Sequence, residues 1–509
     1  MLFDSWNFIV WFLPVTLLTF YLIPARLLVF RKVWLIIASL FFYGYWKVEY
    51  VPLLVLSVIV NYSLAEGINR SSARGRPILI VGVLLNLLLL GYFKYTNFAI
   101  HFFGRLAHRD LGHFDIILPL AISFFTFTQI SYLVDVYRDR STHYKFLDYS
   151  LFVVLFPHLI AGPIVRHWEI IPQFADRELK ASRNNFGVGF SLFLFGLSKK
   201  YLADLAAFYA DSVYNAAAQN TAISCVDGWV GTVAFALQIY FDFSSYSDMA
   251  IGLARMFGVK FPCNFDSPYR ATSVIVFWER WHRTLTRFLR EYVYFSLGGN
   301  RRGSFRQILN IMATMLLSGL WHGAGWTYII WGALHGMFLV INHQWRLLVK
   351  HMKWNFDNWF YRAACVLLTF VCVSLAWTFF RAPSTTVACR MLSNMLALKG
   401  FSLPYIFHNH PRFQAMILDP LHIRILDTGV FDYNNAFIII GFLLVICWAL
   451  PNTQQMLINY DPVLEPVTRR PWFHLKLGFW IAIVFGVMGY LILRNCYVSE
   501  PSPFIYFNF

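Results

Sequence analysis

The chain has 509 residues, of which 58% are hydrophobic and only 13% charged. Soluble domains carry roughly 25% charged residues, so this composition excludes a soluble enzyme with a single anchor. The net charge of +16 is that of Lys and Arg gathered in cytoplasmic loops beside anionic headgroups, and no nucleic-acid partner is expected.

Apolar runs long enough to span a bilayer recur along the whole length, which predicts an all-α, polytopic integral membrane protein. In chain order they lie near 7–30, 33–65 (two helices), 77–104, 117–134, 148–165, 186–210, 226–256, 307–345 (interrupted), 360–380, 435–450 and 473–494. Broken and interfacial pieces included, they amount to about 11–13 helices. The first run, MLFDSWNFIVWFLPVTLLTF, has no basic stretch before it and no small-residue cleavage site, so it reads as an uncleaved span. Hydropathy marks no internal boundary, and residues 1–509 read as one transmembrane domain. No internal duplication is visible, which counts against an inverted-repeat transporter. Aromatic residues make up 19% of the chain, more than interfacial belts need, so aromatic-lined interior surfaces are expected. The cysteines are scattered without CxxC or His/Cys spacing, so no disulfide, metal site or bound cofactor is expected.

The connections differ in charge. Arg70, Arg74 and Arg76 mark one basic loop, and Arg177, Lys180 and Arg183 another. A third block, 280–306, holds arginines at 280, 283, 287, 290, 301, 302 and 306. The positive-inside rule puts these on the cytoplasmic side. The connection 381–435, with Asp419, Asp427 and Asp432, is the candidate non-cytoplasmic loop or a mobile connector.

Polar residues inside apolar runs are where membrane proteins keep function. PLAISFFTFTQISYLVDVYR carries Gln129 and Asp135, and FPHLIAGPIVRHWEIIPQF is broken by Pro157, Gly162 and Pro163. QIYFDFSSYSDM puts Asp242, Ser244, Ser245 and Asp248 in or beside a span. An ionised Asp242 facing lipid would cost several kcal/mol, so it should face an interior polar cavity. Hydrogen bonding between helices and substrate contact both remain open for it.

Two histidines stand out in 277–336. Taken as one helix at about 100° per residue, 277–292 puts Trp278, Trp281, Leu285, Phe288, Leu289 and Tyr292 on one stripe. Arg280, Arg283, Arg287 and Arg290 face the other way, the pattern of an interfacial helix. His282 falls at the edge of the apolar stripe, toward the interior. The run 307–342 would be about 54 Å long as a single helix, too long for a hydrocarbon core of roughly 30 Å. A break at 319–325, GLWHGAG, puts His322 near its middle, and basic flanks on both sides suggest that the run enters and returns. Gly319/Gly323 and Gly332/Gly336 are GxxxG pairs that permit close helix contact. A neutral imidazole at such a bend can take a proton from a hydroxyl and later return it to a leaving group. The residues alone leave a satisfied structural role equally open, and His158, His335 and His343 keep the structural reading.

FWERWHRTLTRFLREYVYFSLGGNR followed by LLSGLWHGAGWTYIIWGALHG resembles the core of the membrane-bound O-acyltransferase family, most closely its bacterial alginate O-acetylation branch. WLIIASLFFYGYW, LIAGPIVRHWEIIPQF, QIYFDFSSYSDMAIGLARMFGVKFPCNFDSPYRATS, LAWTFFRAPS, ALPNTQQ and PSPFIYFNF extend the likeness over nearly the whole chain. The resemblance implies tilted helices around a central tunnel, with His322 as the principal catalytic histidine and His282 as the second active-site residue. It implies transfer of an acetyl group from a cytoplasmic thioester, acetyl-CoA, to a hydroxyl of a polysaccharide such as alginate or of a periplasmic relay protein. Trp321, Asp242, Ser244, Arg280 and Arg283 are the candidate substrate contacts, the arginines suiting either CoA phosphates or lipid headgroups. A transporter or flippase for a lipid-linked sugar or acyl precursor is the alternative, because it also needs broken helices and buried polar groups.

Overall fold

The computed structural model describes residues 1–71, 75–139, 143–175, 182–354, 356, 358–398, 400–409, 418, 423–426, 429–465, 467, 471–498, 502, 504 and 505. Arg74, Arg177, Lys180, Asp419 and Asp427 lie outside the described residues. The helices, in chain order, begin with α1 Leu13–Leu22, α2 Leu28–Gly44, α3 Val51–Arg70, α4 Gly75–Leu106, α5 Ile122–Arg138, α6 Phe146–Val154, α7 Phe156–Leu159 and α8 His167–Ala175. They continue with α9 Arg183–Ala218, α10 Cys225–Met256, α11 Val274–Arg280, α12 Arg283–Phe288, α13 Ser304–His322, α14 Trp326–His351, α15 Trp359–Arg381 and α16 Thr385–Met395. The last are α17 Tyr433–Ala449, α18 Thr453–Met456 and α19 Phe479–Val498. Two strands of two residues, β1 Ser402–Leu403 and β2 Arg424–Ile425, pair in parallel. The 381–435 connection is therefore not merely a connector, since it carries α16 and this strand pair.

Among the described residues, four segments are long and apolar enough to cross a membrane: Ala25–Gly44, Val48–Arg70, Gly75–Leu106 and Trp359–Arg381. Leu84 and Leu88 on α4 are exposed, as a helix facing lipid tails requires. The run at 148–165 is not one span: it breaks into α6, α7 and an irregular stretch, because Pro157 and Pro163 remove ladder donors.

Contacts divide the chain into two compact units. The first comprises Met1–Ser198, Ser245–Asn264 and Pro451–Asn508. Polar side chains tie its helices together. Asn61 and Asn86 exchange amide hydrogen bonds at 3.3 and 2.6 Å, and Gln129 bridges Ser57 at 2.9 Å and Tyr149 at 3.1 Å. Paired amides satisfy each other where no water can. His158 reaches the Phe152 carbonyl at 2.9 Å, which keeps it structural. Asp248 accepts from Thr453 at 2.7 Å and from Gln454 at 2.5 Å, so its role is to pin α18, whose start is a reciprocal Asn452/Gln455 capping box.

The second unit comprises Lys199–Ser244 and Phe265–Leu450, and it holds both histidines of interest. Four of its helices start on side-chain caps: Ser273 for α11, Asn358 for α15, Ser384 for α16 and Asp432 for α17.

Candidate active site

The stretch 277–292 is not one helix. α11 ends at Arg280, Trp281 is extended, and His282 takes φ 41°, ψ 52°, the left-handed conformation, before α12 begins at Arg283. A π-helical turn, Leu289–Tyr294, follows α12. The helical projection predicted that His282 turns inward, and it is completely buried. The cause is the backbone break and not the face of a continuous helix. A left-handed residue other than glycine costs roughly 1–2 kcal/mol, and such strain persists only where the surroundings over-determine it. Here they do: the His282 carbonyl accepts from Thr286 N–H at 3.0 Å, and the Arg280 carbonyl accepts from Asp266 N–H at 3.0 Å. The His282 ring stands edge-on to Phe243, with centroids 4.7 Å apart, and lies parallel to Phe265.

His322 is the last residue of α13, and the chain turns back through 323–325 into α14. α13 and α14 form an antiparallel hairpin in which glycines permit near-contact of the backbones. A Cβ on Gly319 would overlap the Tyr328 carbonyl oxygen and one on Gly332 that of Met315, and the Gly319 Cβ would stand 3.3 Å from Gly332 Cα. The in-and-out path expected from the basic flanks is thus the path observed. The break falls at 323–325, the last part of the expected window 319–325, so Gly319 belongs to α13 itself. A Cβ at Gly323 would enter the Tyr328 ring; that ring closes the turn immediately beside His322.

Three aromatic rings enclose the His322 imidazole. Trp321 lies 4.8 Å away, Trp331 5.0 Å at 87°, and Phe380 of α15 5.3 Å. Trp331 stacks in turn on Trp377, 5.6 Å distant at 23°. The sequence reading assigned no role to Trp331, Trp377 or Phe380. Their signal was the aromatic surplus, which indicates that lined interiors exist but not which rings line them. His335 accepts a hydrogen bond from Trp278 Nε1 at 3.3 Å, the structural role expected of it.

Trp321 connects the two histidines. Its indole lies 6.4 Å from the His282 ring as well as 4.8 Å from that of His322. Both imidazoles therefore fall within one indole's reach of each other.

The other candidates are placed unequally. Asp242 is buried, and what it meets is an ion pair: Lys200 Nζ stands 2.9 Å from it and 3.0 Å from Asp204. That partner was missed because Lys200 sits 42 positions upstream, at the end of an apolar stretch. The neighbouring Phe243 is one of the rings that contact His282. Ser244 is buried, and its hydroxyl points back to the Phe241 carbonyl at 3.5 Å. Arg280 and Arg283, half-buried, bracket the left-handed turn. Among the described residues no group of three or more His, Cys, Asp or Glu could hold a metal ion.

This arrangement, buried imidazoles in a polytopic helical protein, fits a membrane enzyme that moves protons at a hydroxyl. Residues 40–381 match the membrane-bound O-acyltransferase family, and the chain belongs to that family: it is a multi-pass inner-membrane O-acyltransferase. Membership sets the flippase reading aside. The chain is 40% identical over 524 aligned positions, covering all of both chains, to the probable alginate O-acetylase of Pseudomonas putida. It is 37% identical to the peptidoglycan O-acetyltransferase of Helicobacter pylori over 540 positions, covering 100% of this chain and 98% of that one. It is 26% identical to the teichoic acid D-alanyltransferase of Streptococcus thermophilus, covering 51% of this chain and 68% of that one.

Proposed function

We propose that the chain transfers an acetyl group from a cytoplasmic thioester, acetyl-CoA, to a hydroxyl beyond the inner membrane. The acceptor is an exopolysaccharide such as alginate or a periplasmic relay protein that passes the group on. His322 takes the proton from the acceptor hydroxyl as its oxygen attacks the thioester carbonyl carbon. The tetrahedral intermediate collapses with cleavage of the C–S bond, and His322 returns the proton to the departing sulfur. At the C-terminal end of α13 the helix dipole complements the positive charge that the imidazole carries between these steps. His282 orients the acyl group or stabilises the developing oxyanion. Trp321, Ser244 and Asp242 contact the substrate, and Arg280 and Arg283 take the donor's phosphates.

The observation that carries this reading is the single indole, Trp321, contacting both buried imidazoles. The test is acetyl transfer by membranes containing His322→Ala, expected to fall by about 10²–10⁴-fold. Transfer at the wild-type rate would remove His322 from the chemistry. The similarity to a peptidoglycan O-acetyltransferase over the full chain supports peptidoglycan as a second acceptor. Mass spectrometry of exopolysaccharide and of muropeptides, with and without the protein, separates the two.

A further inference from the structure

At the open end of the α13–α14 hairpin, away from His322, lies a cavity of about 210 Å³. Its polar lining is Gln307 from α13 and His343, Gln344, Arg346 and Lys350 from α14, over an aliphatic floor. No carboxylate lines it, and neither Arg346 nor Lys350 forms an ion pair among the described residues. The Arg346 guanidinium is held in place: its Nη2 donates to Ser273 Oγ at 3.2 Å. Asn342, one turn earlier, accepts from Ile275 N–H at 3.3 Å, which fixes this part of α14 against the start of α11. The basic residues 301, 302 and 306 around the start of α13, and 350 and 353 around the end of α14, assign this end to the cytoplasmic side. It lies about 20 Å from His322 along α13, at 1.5 Å per residue.

We infer that this cavity binds a phosphoryl group. Two cations with no ion-pair partner among the described residues, two amides and an imidazole line the cavity with donors and no carboxylate, which is the composition that recognises phosphate oxygens. A single guanidinium positioned by Ser273 offers the planar fork, and Lys350 adds a point charge on the same face one turn on. Gln307 supplies an amide from the facing helix, so the group would bridge both arms of the hairpin and hold its open end together. The phosphoryl group can belong to an anionic lipid headgroup or to a nucleotide-bearing thioester donor, and the chemistry of recognition is the same. The site does not depend on which imidazole acts as base.

The test uses the full-length protein in neutral detergent with three soluble probes: dihexanoyl phosphatidylglycerol, CoA and, as a control without phosphate, dihexanoyl glycerol. Arg346→Gln and Lys350→Gln should each weaken the bound probe by about tenfold, the scale of one charge-assisted hydrogen bond. Lys353→Gln, an exposed neighbour outside the cavity, should leave affinity within about twofold, the scale of a screened surface charge. Gln344→Glu, which keeps the Arg346–Ser273 contact, should weaken binding as well, and it guards against misfolding of the arginine variant. Sensitivity confined to phosphatidylglycerol identifies a lipid site, and sensitivity confined to CoA a donor site; either sustains the inference. Equal losses with Lys353→Gln, equal binding of dihexanoyl glycerol, or no variant-sensitive binding of either phosphate probe would overturn it.

Discussion

The His322 imidazole meets the Trp331 indole edge to face, ring centroids 5.0 Å apart and planes at 87°. Trp331 is fully buried and stacked on Trp377, so close packing holds its indole in place against the imidazole. Aromatic pairs in this geometry contribute about 0.5–1.5 kcal/mol beyond their buried area. Most of the consequence is positional.

Trp331→Ala should lower acetyl transfer by about 10–100-fold, the loss expected when a reacting group drifts by an ångström. Trp331→Phe keeps an edge-to-face partner and should recover most of the rate. The readout is kcat against KM in reconstituted membranes. Loss confined to KM would mean that Trp331 holds substrate instead of His322.

The hairpin depends on Gly319 and Gly332. With Gly332 Cα 3.3 Å from the place a Gly319 Cβ would occupy, and backbone oxygens nearer still, any side chain must push the helices apart. Gly332→Val should destabilise the protein by about 1–3 kcal/mol, the scale of overpacking, and move the turn that carries His322. Thermal unfolding in detergent and transfer activity should fall together. A stable but inactive variant would show that the turn, not the packing, is what valine disturbs.

The sequence reading reached the helical class, most helix positions, the hairpin and the burial of both histidines. Helical periodicity and span length are local properties, and they survive into the fold. It failed where the answer depended on partners distant in sequence. Asp242 needed Lys200, His322 needed Phe380, and Asp248 needed Thr453 and Gln454, and no local pattern announces such pairs. The break at His282 was missed for another reason. No glycine or proline lies between 277 and 297, so nothing in the residues flagged a left-handed turn there.

The Lys200–Asp242 pair separates a structural from a substrate role. Lys200→Met removes the cation that stands 2.9 Å from the buried Asp242 carboxylate, and breaking a buried ion pair should cost about 3–5 kcal/mol. Replacing both, Lys200→Met with Asp242→Leu, should restore most of the stability, because an apolar pair avoids the desolvation of two charges. If Asp242 also contacts the substrate, transfer stays low in the restored protein. Full recovery of transfer would leave Asp242 with a structural task alone.

At His282 the backbone itself can be interrogated by comparing His282→Ala with His282→Gly. Both remove the ring and leave nearly the same cavity against Phe243, so their difference isolates the conformation. In an ordinary helix alanine is the more stable by about 1 kcal/mol. At φ 41° the order should invert, with glycine more stable by about 1 kcal/mol, because only it adopts the left-handed region without a Cβ clash. Chemical or thermal unfolding of the two variants in the same detergent gives the sign directly. Alanine coming out ahead would mean that 277–292 runs as a continuous helix, and His282 would then owe its burial to the apolar stripe. Transfer should be lowered in both variants alike, since neither carries the imidazole.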